Sequence, residues 1–153
     1  MNPRVLEQYK FYRLCEYDFD MAIHTLKILR RYKRSDVRNA LLRDITVAYA
    51  KPFSTNRGAL SQHSLSLKHV PLPMRGLHKE LIDLRNQLFA HTDLTFKNPK
   101  VANWSSGKRK WFPMSFRGFD YNNLNKRVDE ISDLIYSVQN ELLKKIKGIE
   151  DSI

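Results

Sequence analysis

Cysteine is almost missing from this chain. Cys15 stands alone, so no intramolecular disulfide can form and nothing suggests an oxidising compartment. Glycine is scarce too, with five residues in 153, and no Gly-rich phosphate loop is present, which argues against an α/β nucleotide-binding design. No apolar run approaches the length of a membrane span, and the opening stretch MNPRVLEQYKFYRLCEYDFD is too polar for a signal peptide. A soluble, cytoplasmic protein with no membrane partner is expected. The histidines His24, His63, His69, His78 and His91 show no paired ligand spacing with carboxylates, so neither a metal site nor a cofactor is expected. Acidic residues also fall short, 16 Asp plus Glu against 27 Lys plus Arg, for a formal net charge of +11. That excess favours a polyanionic partner, with nucleic acid the commonest candidate; the alternative is a solvated basic surface with no specific ligand.

What is present is helical pattern. Hydrophobic residues make up 42% and charged residues 28%, which suits a folded chain, and 153 residues suit one domain spanning 1–153. A first helix is predicted from about Pro3 to Lys33, on the stripe Cys15, Phe19, Ala22, Leu26 and Leu29. Ser35 or Asp36 can cap a second, which runs through Val37, Leu41, Ile45 and Ala48 and stops near Lys51 ahead of Pro52. The stretch STNRGALSQHSLSLKHVPLP reads as a long irregular connection, mobile or functional. A third helix begins near Pro73 and carries Leu77, Leu81, Leu84 and Leu88. Asp120 or Asn122 can cap the last, whose stripe Leu124, Val128, Ile131, Ile135, Val138, Leu142, Ile146 and Ile149 has the cleanest period in the chain. The expected class is all-α, an antiparallel four-helix bundle with a long irregular or hairpin insert between helices three and four.

The third helix contains an anomaly. LIDLRNQLFAHTD, residues 81–93, sets Arg85, Asn86 and His91 into a leucine-patterned run. On an ideal helix His91 falls on the leucine face, with Arg85 at its edge about 120° from His91. The two therefore do not converge on one ligand unless the helix distorts, ends near Ala90, or is met by a second copy. Each residue also has an ordinary reading. Arg85 can pair with Asp83, Glu80 or another carboxylate; His91 can close a terminal carbonyl or pair with Asp93; Asn86 can face solvent.

Taken together, LRNQLFAHTD resembles the Arg-X4–6-His signature of the HEPN superfamily, all-α proteins of prokaryotic toxin–antitoxin and phage-defence systems. The match comprises Arg85, the polar Asn86 directly after it, five intervening positions, and His91 preceded by Ala90, near the end of the third long helix. The resemblance implies a HEPN-like fold and a metal-independent endoribonuclease, active as a homodimer in which two motifs face one cleft, with a cognate antitoxin as a further partner. It implies that Arg85 holds the scissile phosphate of RNA, that His91 moves a proton in 2′-hydroxyl attack on that phosphate, and that Asn86 orients His91 or a phosphate oxygen by hydrogen bonding. A non-catalytic module of the same fold, binding RNA, nucleotides or a protein, is the alternative. The segment AYAKPFS also looks like one seen in some relatives. RGALSQH, Arg57 to His63, repeats the interval in a loop-like setting without the adjacent amide residue and is set aside.

Between helices three and four, VANWSSGKRKWFP alternates around a Ser-Ser-Gly turn and predicts a short hairpin. Lys97, Lys100, Lys108, Arg109 and Lys110 are the expected RNA contacts, since the insert follows His91 directly. Trp104, Trp111 and Phe116 are expected instead to cover an end of the bundle, because large rings are usually at least partly buried.

Overall fold

The computed structural model describes residues 2–152, and most of them are helical. Helix α1 spans Pro3–Leu29 and α2 Ser35–Ala50. Helix α3 spans Arg75–Leu84 and continues as a π-helical turn over Arg85–Phe89. The short helices α4, Leu94–Lys97, and α5, Asn122–Lys126, precede the long α6, Val128–Glu150. Side-chain pairs give the directions of packing. Tyr9 meets Glu150, Asp20 meets Gln139 and Arg30 meets Asp129, so each step up α1 is matched by an equal step down α6. Thr25 with Asp44 and Asp18 with Lys51 show the same antiparallel relation between α1 and α2. Helix α3 touches both α2 and α6, and Arg127 clamps it to the start of α6 by binding Glu80 at 2.6 Å and Glu130 at 3.2 Å.

The predicted stripes supply most of the core, although on α2 Val37 and Leu41 are only half-buried and Leu42 is buried instead. Cys15, Phe19, Ala22, Leu26 and Leu29 from α1 are buried, as is the stripe of the last helical segment from Leu124 through Ile146. Burial pushes the Cys15 thiol up to about 12, which makes it a core side chain rather than a nucleophile.

Three boundaries differ from the sequence reading. Helix α1 stops at Leu29, short of Lys33, because the Arg38 guanidinium donates to the carbonyls of Leu29 and Tyr32, both at 3.0 Å, and closes the end there. Neither Ser35 nor Asp36 caps α2. Arg34 occupies the cap position without a side-chain capping bond, and the Asp36 carboxylate turns back to the Arg34 guanidinium at 2.6 Å. The last helical segment is broken at Arg127 (φ −109°, ψ 21°) into α5 and α6; Tyr121, rather than Asp120 or Asn122, holds the cap position of α5, and the Asp120 carboxylate one residue earlier accepts from the Asn122 amide at 2.9 Å.

The 52–72 connection is held by long-range contacts. Strands β1, Asn56–Arg57, and β2, Gln62–His63, pair antiparallel. The Glu7 carboxylate accepts from the Leu60 and Ser61 amides, at 2.8 and 3.0 Å, and from the His63 ring at 2.8 Å. Gly58 permits this approach, since a Cβ there would lie 2.5 Å from the Glu7 oxygen. Phe11 stacks on His63 with centroids 5.2 Å apart.

Candidate active site

AYAKPFS positions the helix that carries the motif. Tyr49, at the end of α2, is fully buried; burial raises its pKa and keeps it a hydroxyl donor to Nδ1 of His78, 2.7 Å away. Burial, with a smaller contribution from the Arg75 charge, lowers the His78 pKa and favours the neutral ring that accepts this bond. Phe53 packs edge-on against His78 at 4.5 Å and tilts against Tyr49 at 5.4 Å. His78 is buried in the fold, where it seats α3.

Below this anchor the helix changes character. Its register widens at Arg85, and the Ala90 amide bonds to the Arg85 carbonyl at 3.0 Å, five residues back. Such i→i+5 turns are uncommon and recur at functional sites. At Ala90 the backbone leaves the helix (φ −111°, ψ −10°). His91 therefore does not lie on the leucine face, as an ideal helix would place it. It is the first residue beyond the helix end, and it is exposed. The 120° divergence calculated for an uninterrupted α-helix does not apply here, because the helix both distorts and ends within the motif.

The ordinary partners proposed for these side chains are occupied elsewhere. Asp83 binds Lys79 at 2.5 Å, one turn back, and Glu80 binds Arg127. Among the described residues Arg85 has no carboxylate partner within salt-bridge distance. It is half-buried, its Nε is enclosed with no hydrogen-bond acceptor, and its Nη1 donates to the Asn86 side-chain oxygen at 3.0 Å. Asp93 does not pair with His91; its carboxylate accepts from the Phe96 amide at 2.8 Å and caps α4. Asn86 faces solvent, as its ordinary reading has it, yet also orients the guanidinium.

The insert leaves and returns beside the motif. Phe89, on the π turn, lies parallel to Tyr121 at 5.9 Å and edge-on to Phe119 at 5.6 Å. Strands β3, Lys100–Val101, and β6, Met114–Ser115, pair at the base of a hairpin whose outer arms are β4, Trp104–Ser106, and β5, Arg109–Trp111. The hairpin predicted around Ser-Ser-Gly is therefore present. Gly107 makes its turn at φ 59° while Lys108 stays at negative φ, the pattern that a two-residue type II′ turn demands. Lys97 closes α4 and is half-buried, and its carbonyl accepts from the Arg117 amide at 2.7 Å. Lys100, Lys108, Arg109 and Lys110 are exposed along the hairpin.

The aromatic side chains contradict the sequence reading. Trp104, Trp111 and Phe116 do not cover an end of the helical body; they are 69%, 45% and 59% exposed. The rings that close the helical body near the motif are Phe89, Phe119 and Tyr121. The strands of the hairpin pair only with one another, so its side chains meet one another rather than the core. Alternation around the turn signalled a hairpin but could not signal where it would point.

No protein-family model matches this chain, and no curated protein or solved structure matches it either. Among the described residues no helix is long and apolar enough to cross a membrane.

Proposed function

We propose that this chain is a metal-independent endoribonuclease of HEPN type, a four-helix bundle of α1, α2, α3 and α6 whose motif is Arg85, Asn86 and His91. The observation that carries the reading is the state of Arg85. Its guanidinium is partly desolvated at a π turn, without a carboxylate, because Lys79 and Arg127 occupy the two acids nearest in its own helix. A cation kept in this way favours an anionic ligand, and a guanidinium suits the paired oxygens of a phosphodiester.

The chemistry follows from the two groups. The ribose 2′-oxygen attacks the adjacent phosphorus and forms a P–O bond as the bond to the 5′-oxygen breaks. One imidazole removes the 2′-hydroxyl proton, and a second delivers a proton to the departing 5′-oxygen. Arg85 stabilises the charge that builds on the five-coordinate phosphorus. Asn86 fixes the fork through its bond to Nη1. A homodimer supplies the second imidazole, from the His91 of the other copy across a shared cleft. Lys97, Lys100, Lys108, Arg109 and Lys110 hold the RNA backbone as it leaves the cleft. The toxin–antitoxin or phage-defence setting and the cognate antitoxin rest on the resemblance alone.

The test is cleavage of end-labelled RNA in EDTA, with analysis of the termini. The expected products carry a 2′,3′-cyclic phosphate and a 5′-hydroxyl. His91→Ala should slow cleavage by about 10²–10⁴-fold, and Arg85→Ala by about 10²–10³-fold, with folding and RNA affinity largely retained. Absence of cleavage by the parent chain, with RNA still bound, selects the non-catalytic module. A requirement for added Mg²⁺ refutes the mechanism.

A further inference from the structure

We infer that the 100–115 hairpin is a stacking platform for unpaired nucleotides, so that the RNA this chain takes is single-stranded where it meets the hairpin. Trp104 and Trp111 are direct cross-strand partners, with centroids 6.4 Å apart and planes tilted by 51°. They form an open V in which neither ring covers the other. With Phe112 and Pro113 they line a shallow concavity of about 520 Å³. Phe112 is 62% exposed, so the aromatic surface runs along the flank of the hairpin. Side chains alternate along a strand, which places Arg109 on the same face as Trp111. From Leu94 to Phe119 the chain carries six cations and no acid.

Charge and shape together select the occupant. Exposed rings unsatisfied by the fold need an apolar or π-faced partner, and a run of cations without acids needs a polyanion. Unpaired nucleotides supply both, because each base offers a free face and each linkage a negative charge. A duplex hides its base faces in the stack and can answer the cations alone. An anionic membrane also combines charge with apolar depth, but the tip of this hairpin is Ser106, Gly107, Lys108 and Arg109, and the rings lie behind it. Insertion would bury the polar tip first. A second copy of this chain would bring its own six cations against these.

The polymer's identity as RNA rests on the function proposed above, whereas the stacking does not depend on cleavage. The chain has two tryptophans, both in the hairpin, so tryptophan emission reports on this element alone. A short 2′-O-methyl oligouridylate, which lacks the attacking hydroxyl and cannot be cut by this route, is titrated against the full-length chain. Saturable quenching by the single strand is expected, with little or none from its duplex with 2′-O-methyl oligoadenylate. Trp104→Ala should weaken binding roughly ten- to a hundredfold, and Trp104→Phe less, since a smaller ring still stacks. Replacing Lys108 and Arg109 by Ala should flatten the slope of log affinity on log salt by about 0.7 for each cation lost.

Equal binding of strand and duplex without quenching overturns the inference, leaving phosphate attraction alone. So does quenching that follows chain concentration without nucleic acid, or a stronger response to anionic phospholipid vesicles at equal phosphate. A chain that quenches with the oligouridylate yet cleaves no RNA retains the platform and loses the nuclease.

Discussion

Single residues here are defined by which partners they keep. Arg85 stands out because the neighbouring acids are committed elsewhere, and Glu7 because its carboxylate gathers several donors at once. The His63 ring foremost, then the Leu60 amide and the donors of Ser61, hold Glu7 from the ordinary glutamate value of 4.5 down to about 2, outweighing a smaller opposing effect of burial. A depressed carboxylate favours the folded chain fully above about 4.5, and that contribution drains away as pH falls from 4.5 toward 2. Thermal melting of the parent across this window should therefore fall more steeply than that of Glu7→Gln, which has no charge there to lose. Identical acid curves for the two chains would show that the 56–63 loop is held by something else. None of this was legible in RGALSQH, because the anchoring acid lies some fifty residues away in the sequence and loop composition says nothing about it.

At the level of elements, the joint between the π turn and the insert has the most consequence. Phe89 joins them, with Tyr121 stacked on it and Phe119 edge-on. Phe89→Ala should cost about 2–4 kcal/mol, toward the low side of a fully buried phenylalanine because this ring is only half-buried. Hydrogen exchange should show amides on both sides of the joint, at 90–97 and 119–122, losing protection together while α1, α2 and α6 keep theirs. Independent behaviour of the two segments would mean that the motif and the insert are not mechanically joined. The period of α6 was plain in the sequence because burial on one helix face imposes steps of three and four. The π turn left no such trace. RNQLF has no proline or glycine and reads as ordinary α-helix; in the fold this turn packs against α2.

For the whole molecule the decisive property is assembly. If acid and base reach one phosphate from opposite subunits, a dimer with a single His91 is inactive. Mixing parent and His91→Ala chains under conditions that exchange subunits should make activity fall with the square of the parent fraction. A linear decline would place the complete site within one chain, and sedimentation at the 18.1 kDa mass of one chain would remove the shared cleft altogether. The charge of +11 works against self-association and in favour of a polyanion, so in the proposed dimer RNA lying between the two chains would relieve their repulsion.

The amino-acid order by itself settled the main helical segments, most of their buried faces and a hairpin turning at Gly107, because each follows from side-chain periodicity or backbone freedom within a few residues. It also singled out Arg85, Asn86 and His91 as out of keeping with their helix. Tertiary structure alone decided that the helix widens at Arg85 and ends before His91, that Glu80 goes to the distant Arg127, and that two tryptophans stand in solvent. Those outcomes depend on which distant groups arrive first at a given donor, charge or apolar face, and local spacing carries no record of that competition.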